Sequence, residues 1–272
     1  MFSDQPIGRS ILGTTESVQQ FERNDLLTYK RVNYAADNTV VVTAGGVNPN
    51  PAHKQIKNQF SSAKNTQTQD PQPAQPNPNN NFSFRRKDSD QTHLIVGGLT
   101  VARDSEKLPA VEILSTVLGR GMSSRLFQKL RDEMGVCYYV RSSASYFTDA
   151  GLFKVSTGVT PGRLTEVITE IKNSLISLAE NGVEAEELQK AKEFAAGNFL
   201  LSQETTDGRA RDVAKQAILD ASIEKPREYT KKLRDVSAGE IKQAAADILK
   251  QNLHAAAIGP DSDKQAVENV LQ

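Results

Sequence analysis

The sequence predicts an α+β fold, in which a mainly antiparallel sheet is packed by helices on one face. Residues 137–147 and 152–159 alternate apolar and polar side chains, as half-buried strands do. The triplet Asp149-Ala150-Gly151 between them is typical of a hairpin turn. A buried helical stripe follows, carried by Leu164, Val167, Ile168, Ile171, Leu175 and Leu178. Strands joined by hairpins and grouped with long helices favour an α+β arrangement.

The first 60 residues supply too few elements for a self-sufficient domain. Apolar residues at three-residue spacing predict a helix over 25–34, and a second, polar helix is predicted over 51–60. The β-branched run 39–44 predicts a buried strand, which a glycine pair ends. One strand and two helices leave an unpaired strand edge and an uncovered core face, so we expect another segment to complete this layer.

The rest of the chain carries most of the predicted strands and helices. Besides the hairpin and the stripe after it, we expect strands over 92–97 and 254–258 and helices over 108–118, 124–133, 188–199 and 241–248. Ser237 and Glu240 form the capping box of the last of these helices. Ser123 or Ser124 is expected to cap the helix over 124–133, with Gly135 just past its end.

Residues 67–82 are predicted to be a linker. Four prolines interleaved with polar residues and a run of asparagines cannot form a helix or a central strand, and we expect them to be extended and solvated. The linker separates a short piece, 1–66, from a larger one, 83–272.

Composition excludes several classes of function. Lys+Arg and Asp+Glu are equal at 33 each, so no net charge favours nucleic acid or an anionic membrane as a partner. The single cysteine, Cys137, excludes a disulfide framework and a cysteine-based zinc site. No apolar run reaches the length of a membrane span, and no signal-peptide core follows Met1. We therefore expect a cytoplasmic protein.

The segment 119–138, GRGMSSRLFQKLRDEMGVCY, is the most informative part of the chain. It resembles the signature of the C-terminal half-unit in the insulinase/pitrilysin family of zinc peptidases, which includes the mitochondrial processing peptidases. Further stretches resemble this family in order: 1–14, 34–38, 44–47, 151–153, 187–192 and 259–260. The resemblance implies two similar half-units, with 1–66 as the C-terminal remnant of the first, zinc-bearing one and 83–272 as the whole of the second.

The resemblance also implies roles for particular residues. Arg131 would anchor a carbonyl of a peptide substrate and Tyr138 would stabilise the oxyanion, both at a zinc site in the other half-unit. The loop residues Gly119, Gly121, Ser123 and Ser124 would contact the substrate. Arg120 departs from the family, which usually has glycine there.

The zinc site is the decisive departure from the family. Members of the family bind zinc through His-x-x-Glu-His on a helix and through a glutamate later in the sequence. The three histidines here are His53, His93 and His254, and no two lie within four residues of each other. We therefore expect no metal or cofactor in this chain, and zinc in a partner half-unit, either upstream in cis or supplied in trans.

Two functions from different classes follow from the resemblance. One is a partial or split zinc endopeptidase, in which this chain supplies the substrate-binding and oxyanion-stabilising half and has no catalysis alone. The other is a non-catalytic structural or assembly subunit of a peptidase-like complex. Whether the chain is part of an enzyme stays open at this point, although Arg131 and Tyr138 favour the first because a scaffold needs neither.

Overall fold

The structure of the chain is a computed structural model. It describes residues 1–2, 5–66, 72–77, 81–220, 222–260 and 264–271. These residues form two compact units: Met1 with Pro76–Phe199 and Arg227–Gln272, and Phe2–Gln75 with Leu200–Pro226. Of the predicted linker, 67–71 and 78–80 lie outside the described residues, so its bounds stay a prediction.

Helices occur before, between and after the strands along the chain. They are α1 (Thr15–Gln20), α2 (Arg23–Asn33), α3 (Pro49–Gln59), α4 (Leu108–Gly119), α5 (Leu164–Asn181), α6 (Ala185–Ser202), α7 (Thr206–Leu219), α8 (Pro226–Asp235), α9 (Ala238–Leu249) and α10 (Lys264–Leu271). A π-helix occupies Phe127–Glu133. None of these described helices is both long and apolar enough to cross a lipid bilayer.

A five-stranded sheet forms the centre of the first unit. Its strands are β1 (Phe82–Arg86), β2 (Thr92–Thr100), β3 (Cys137–Tyr146), β4 (Gly151–Val159) and β5 (His254–Gly259). Their spatial order is β1-β5-β2-β4-β3. The edge strand β1 runs parallel to β5, and the other three neighbouring pairs are antiparallel. The predicted α+β class with a mainly antiparallel sheet is confirmed.

The core of this unit lies on one side of the sheet. Leu94 and Val96 of β2 and Phe153 of β4 are each 1% exposed, and helices α4, α5 and α9 pack against this side of the sheet or against one another. The alternate residues point to solvent. We call this solvent-facing side the open face; it carries His93, Ile95, Tyr139 and Arg141.

The predicted capping box at the start of α9 is present. The Glu240 amide donates to Ser237 Oγ at 3.2 Å, and the Ser237 amide donates to Glu240 Oε2 at 2.7 Å. These hydrogen bonds from Ser237 lower the pKa of the Glu240 carboxyl. Because that pKa is depressed in the folded state, the contribution of the cap is present above the usual carboxyl range and is lost as pH falls.

We expect Ser237→Ala to lower the free energy of unfolding by about 1 kcal/mol at neutral pH, since it leaves an α9 amide without its partner. Urea denaturation of the variant checks this value. Ser83→Ala, at an exposed position of β1, is the control. Equal stability of the two variants would contradict the prediction.

The second unit has little buried core. Helices α1, α2, α3 and α7 contain no buried residue in the part of the chain that the structure describes. The predicted apolar stripe of α2 is exposed, with Leu26 at 63%, Tyr29 at 62% and Val32 at 39%. The uncovered core face that the sequence predicts is therefore present.

The predicted buried strand over 39–44 is wrong. These residues form no strand, and Val40 and Val41 are 39% and 44% exposed. Thr39 has extended dihedral angles, as β-branched residues prefer, but a strand also needs a neighbour to complete its hydrogen-bonded ladder. No such neighbour is present among the described residues of this unit.

Candidate functional site

Two glycines shape the loop between α4 and the π-helix. A β-carbon on Gly119 would lie 2.7 Å from the Ser142 amide nitrogen, so α4 ends in close contact with β3. Gly121 has φ +88°, in the left-handed region that other residues rarely adopt. Ser124 is buried and its hydroxyl donates to the Gly121 carbonyl at 2.7 Å, whereas Ser123 is exposed. Gly119 and Ser124 therefore fix the loop, and Gly121 and Ser123 lie at its surface.

The helix after this loop is wound more loosely than an α-helix. The sequence predicts an α-helix over 124–133, but the Met134 amide donates five residues back, to the Lys129 carbonyl at 3.0 Å. Such π-turns are rare and are often found at functional sites. Gly135 follows with φ +61°, as its predicted place past the helix end requires. The apolar spacing of a two-turn helix does not distinguish the two windings.

Arg131 lies on this π-helix with its side chain exposed. Its guanidinium carbon is 4.8 Å from the centroid of the Phe127 ring, which is a cation–π contact. Burial raises the pKa of the Cys137 thiol, while a hydrogen bond with Thr157 and the charge of Arg131 act in the opposite direction. The positive charge of Arg131 therefore acts on the thiol of Cys137, the first residue of β3.

Tyr138 is the extra residue of a β-bulge. Cys137 pairs with Val159 and Tyr139 pairs with Gly158, so two steps along β3 match one step along β4. Regular alternation back from the buried Val140 would turn Tyr138 toward the core, yet its side chain is 66% exposed. β-Bulges re-aim side chains in this way and are over-represented next to active sites.

The neighbouring Tyr139 is held on the open face. Its hydroxyl is 3.3 Å from Nδ1 of His93, and a β-carbon on Gly158 would lie 2.8 Å from its ring. The Thr157 hydroxyl donates to its carbonyl at 2.7 Å. His93 supports this ring. The two adjacent tyrosines thus differ: Tyr139 is engaged and Tyr138 is presented to solvent.

Arg125, which has no role in the family motif as predicted from the sequence, orients the start of the π-helix. Its guanidinium donates twice to the Glu187 carboxylate, at 2.8 and 2.7 Å, and once to the Gly182 carbonyl at 3.4 Å. The hydrogen bond with Glu187 raises the pKa of Arg125, so the guanidinium stays charged. Its occurrence inside the segment 119–138 was the available signal. Met122 lies in the same segment and is 74% exposed in the loop.

The described residues do not form a zinc site. Among them there is no group of three or more His, Cys, Asp or Glu side chains that could hold a metal ion. His93 pairs opposite Ile258 and His254 opposite Gly97, so the two histidines are offset by roughly 13 Å along the strands. The donors of the described residues therefore do not fit a zinc ion, which the resemblance places in the other half-unit.

A comparison with family models decides the classification. The model described as "Peptidase M16 inactive domain" matches residues 20–194, well over half of the chain. The chain belongs to the M16 peptidase family. This is the insulinase family that the segment 119–138 indicates, so the predicted membership is confirmed.

Curated M16 relatives are longer than this chain. An uncharacterized zinc protease of Rickettsia bellii is 30% identical over 263 residues, covering 96% of this chain and 63% of the relative. An uncharacterized zinc protease of Streptomyces coelicolor is 29% identical and is covered over 60% of its length, against 98% of this chain. The chain thus spans about 60% of the length of these relatives.

Solved structures share the fold at low sequence identity. A peptidase M16 inactive domain from Pseudomonas fluorescens superposes with a TM-score of 0.86 at 19% identity, over 96% of this chain and 63% of that one. A chain of complex III2 from Candida albicans gives 0.86 at 15% identity, over 99% and 67%. At these identities the likeness establishes the M16 fold and leaves the function to the residues of the site.

Proposed function

We propose that this M16 chain is the peptide-handling half of a two-part zinc endopeptidase. It would hold the substrate and stabilise the oxyanion, with no catalysis alone. The hydrolytic water and the metal that activates it would belong to a zinc-bearing partner half, either upstream in cis or in trans.

The bulge at Tyr138 is the observation that carries this proposal. A bulge in the edge strand β3 loses ladder hydrogen bonds, and here it exposes a tyrosine rather than the charged residue or proline that often protects a sheet edge. Here the interruption turns one hydroxyl outward while the adjacent Tyr139 stays engaged with His93. An unengaged phenol can donate a hydrogen bond to the oxygen of a peptide carbonyl as charge develops on it.

Arg131 complements that hydroxyl. A guanidinium has five N–H donors and no acceptor, and it stays charged at any working pH. The π-helix that carries Arg131 packs against β3, and the Val136 amide donates to the Leu130 carbonyl at 3.0 Å between them. Arg131 and Tyr138 therefore sit on adjoining elements joined by a short hydrogen-bonded turn, as a pair acting on one peptide requires.

The exposed apolar surface of the second unit supports the proposal that a partner of the same family binds there. The α1–α2 side of this unit encloses an open cleft of about 600 Å³, lined by Phe21, Leu26 and Tyr29 among others. The run 39–44 belongs to the same unit and forms no strand, and Val40 and Val41 are 39% and 44% exposed, so we propose that its backbone pairs with a strand of the partner. In that mode of binding, main-chain hydrogen bonds supply affinity. The relatives are longer than this chain, and we propose that the additional polypeptide covers this apolar surface.

Binding of a zinc-bearing M16 half should slow hydrogen exchange of the amides in 39–44, because these amides would donate hydrogen bonds to carbonyls of a partner strand. We expect one-to-one association by analytical ultracentrifugation and protection of this run by mass spectrometry. Exposed amides of α7 serve as the internal reference. Association without protection of 39–44 would contradict the proposed mode of pairing.

The alternative is a non-catalytic structural subunit of a peptidase-like complex. It also predicts association with a larger partner, but it assigns no chemical role to Arg131 or Tyr138. Kinetic variants of these two residues in the reconstituted complex therefore separate the two functions.

A further inference from the structure

A small cavity in the first unit lies between α4, α6 and α8. Its volume is about 220 Å³, and Phe194, Phe199 and Tyr229 form much of its wall. The rings of Phe199 and Tyr229 pack with their centroids 4.6 Å apart. At roughly 30 Å³ per water molecule, this space holds about seven waters. It is too small for a drug-sized ligand, which needs roughly 300 Å³ or more, and suits one amino-acid side chain.

An ion pair forms the polar part of this cavity. Arg120 Nη1 donates to Glu112 Oε2 at 2.7 Å, and the two side chains are 26% and 16% exposed. Both groups keep hydrogen-bonding capacity, because a guanidinium has five N–H donors and a carboxylate has about four acceptor positions. Within the described residues, the bond to Glu112 is the one hydrogen bond that the Arg120 side chain makes. The Arg120 Nε atom is buried without a partner among these residues.

A third polar group lies behind the pair. The Tyr146 hydroxyl is buried and has no hydrogen bond of normal geometry in the described part of the chain. Burial, and then the charge of Glu112, raise the pKa of Tyr146, so this hydroxyl stays protonated. Tyr146 is not part of the cavity lining, but Arg120 and Glu112 are, and their remaining donors and acceptors gain from a polar guest.

The charges at the cavity restrict the chemistry of that guest. Arg120 and Glu112 balance each other, so a carboxylate would be repelled by Glu112 and an ammonium group by Arg120. A neutral carboxamide avoids both penalties: its oxygen accepts from the guanidinium while its NH₂ group donates to the carboxylate. Apolar walls around a few polar groups then favour the methylene groups that precede it.

We propose that this cavity binds the carboxamide of a glutamine or asparagine side chain. Arg120 belongs to the loop 119–124, and a β-carbon on Gly121 would lie 3.4 Å from the Phe194 ring, so the cavity opens beside the predicted substrate loop. The source of the carboxamide, a bound peptide, rests on the proposed function. The binding of a carboxamide in this cavity is independent of that function.

A chemical-shift titration of the isotopically labelled full chain tests the site without any catalytic assay. N-acetylglutamine amide should produce saturable shifts in amides of α4, α6 and α8. The amides of N-acetylleucine, N-acetylglutamate and N-acetyllysine should bind at least roughly tenfold more weakly, because each loses a charge-assisted hydrogen bond or meets a like charge.

Two variants identify the groups responsible. Arg120→Gly should weaken glutamine-amide binding roughly tenfold or more. Glu112→Gln leaves Arg120 unbalanced, so it should reverse the preference toward the glutamate derivative. Arg211→Ala, which breaks the exposed pair with Asp207, is the matched control and should change nothing.

Three results would overturn this site: no saturable shifts with the glutamine derivative, equal binding of the leucine derivative, or an unchanged preference in Glu112→Gln. The preference of the Glu112→Gln variant can be measured whether or not the Arg120→Gly variant folds. Failure of the chain to support catalysis with a zinc-bearing half would overturn the proposed function and leave these binding results standing.

Discussion

Tyr138→Phe is expected to lower kcat of the reconstituted complex by on the order of 10²-fold, with little change in KM. The variant removes one hydroxyl and keeps the ring. A hydrogen bond to a peptide oxygen strengthens as negative charge develops, so its loss is felt mainly in the transition state. The bulge that exposes Tyr138 is a backbone feature, and the substitution should not disturb it.

Tyr139→Phe is the matched control for this measurement. It removes the hydroxyl of the adjacent residue, whose partner is His93 on the open face. Steady-state kinetics with a quenched peptide should give near wild-type kcat for this control. Equal rates for the two variants would show that the Tyr138 hydroxyl has no catalytic role, and the structural-subunit hypothesis would then be the better one.

Arg131→Ala is expected to lower kcat/KM of the complex by roughly 10- to 100-fold, with a clear rise in KM. A guanidinium–carbonyl contact is present in the bound substrate as well as in the transition state, so binding suffers along with rate. The cation–π contact with Phe127 is lost too, but exposed contacts of this kind contribute only about 0.5–1 kcal/mol to stability.

Lys129→Ala controls for loss of a positive charge on the same π-helix. Lys129 is paired with Glu133 at 2.7 Å, and that hydrogen bond raises the pKa of its ammonium group. Its removal should leave KM and kcat unchanged. A rise in KM of the same size for both variants would indicate a general effect of charge and would contradict a specific carbonyl contact by Arg131.

Elements fixed by local pattern could be predicted from the sequence. The hairpin β3–β4, the stripe of α5 and the capping box of α9 depend on residues close in the chain, and the structure has all three. The edge strand β1 is not among the predicted strands, because two of its five residues are arginines. Charged residues are common on exposed edge strands, and β1 becomes a strand by pairing with the distant β5.

The candidate site was predictable in part, for the same physical reason. The motif singles out Arg131 and Tyr138 as candidates, and their roles stay a prediction. The bulge and the π-turn that present them arise from pairing between β3 and β4 and from the winding of one helix, and no local residue pattern encodes either. The cavity at Arg120 and Glu112 needs α4, α6 and α8 together, so only the folded chain reveals it.

Turnover of a quenched peptide by three samples tests the central claim most directly: this chain alone, a zinc-bearing M16 half alone, and an equimolar mixture of the two. We expect chelator-sensitive cleavage in the mixture and none in either half alone, with activity lost when the mixture contains the double variant Arg131→Ala/Tyr138→Phe. Cleavage by this chain alone, or equal activity of mixtures with the wild-type chain and the double variant, would contradict it.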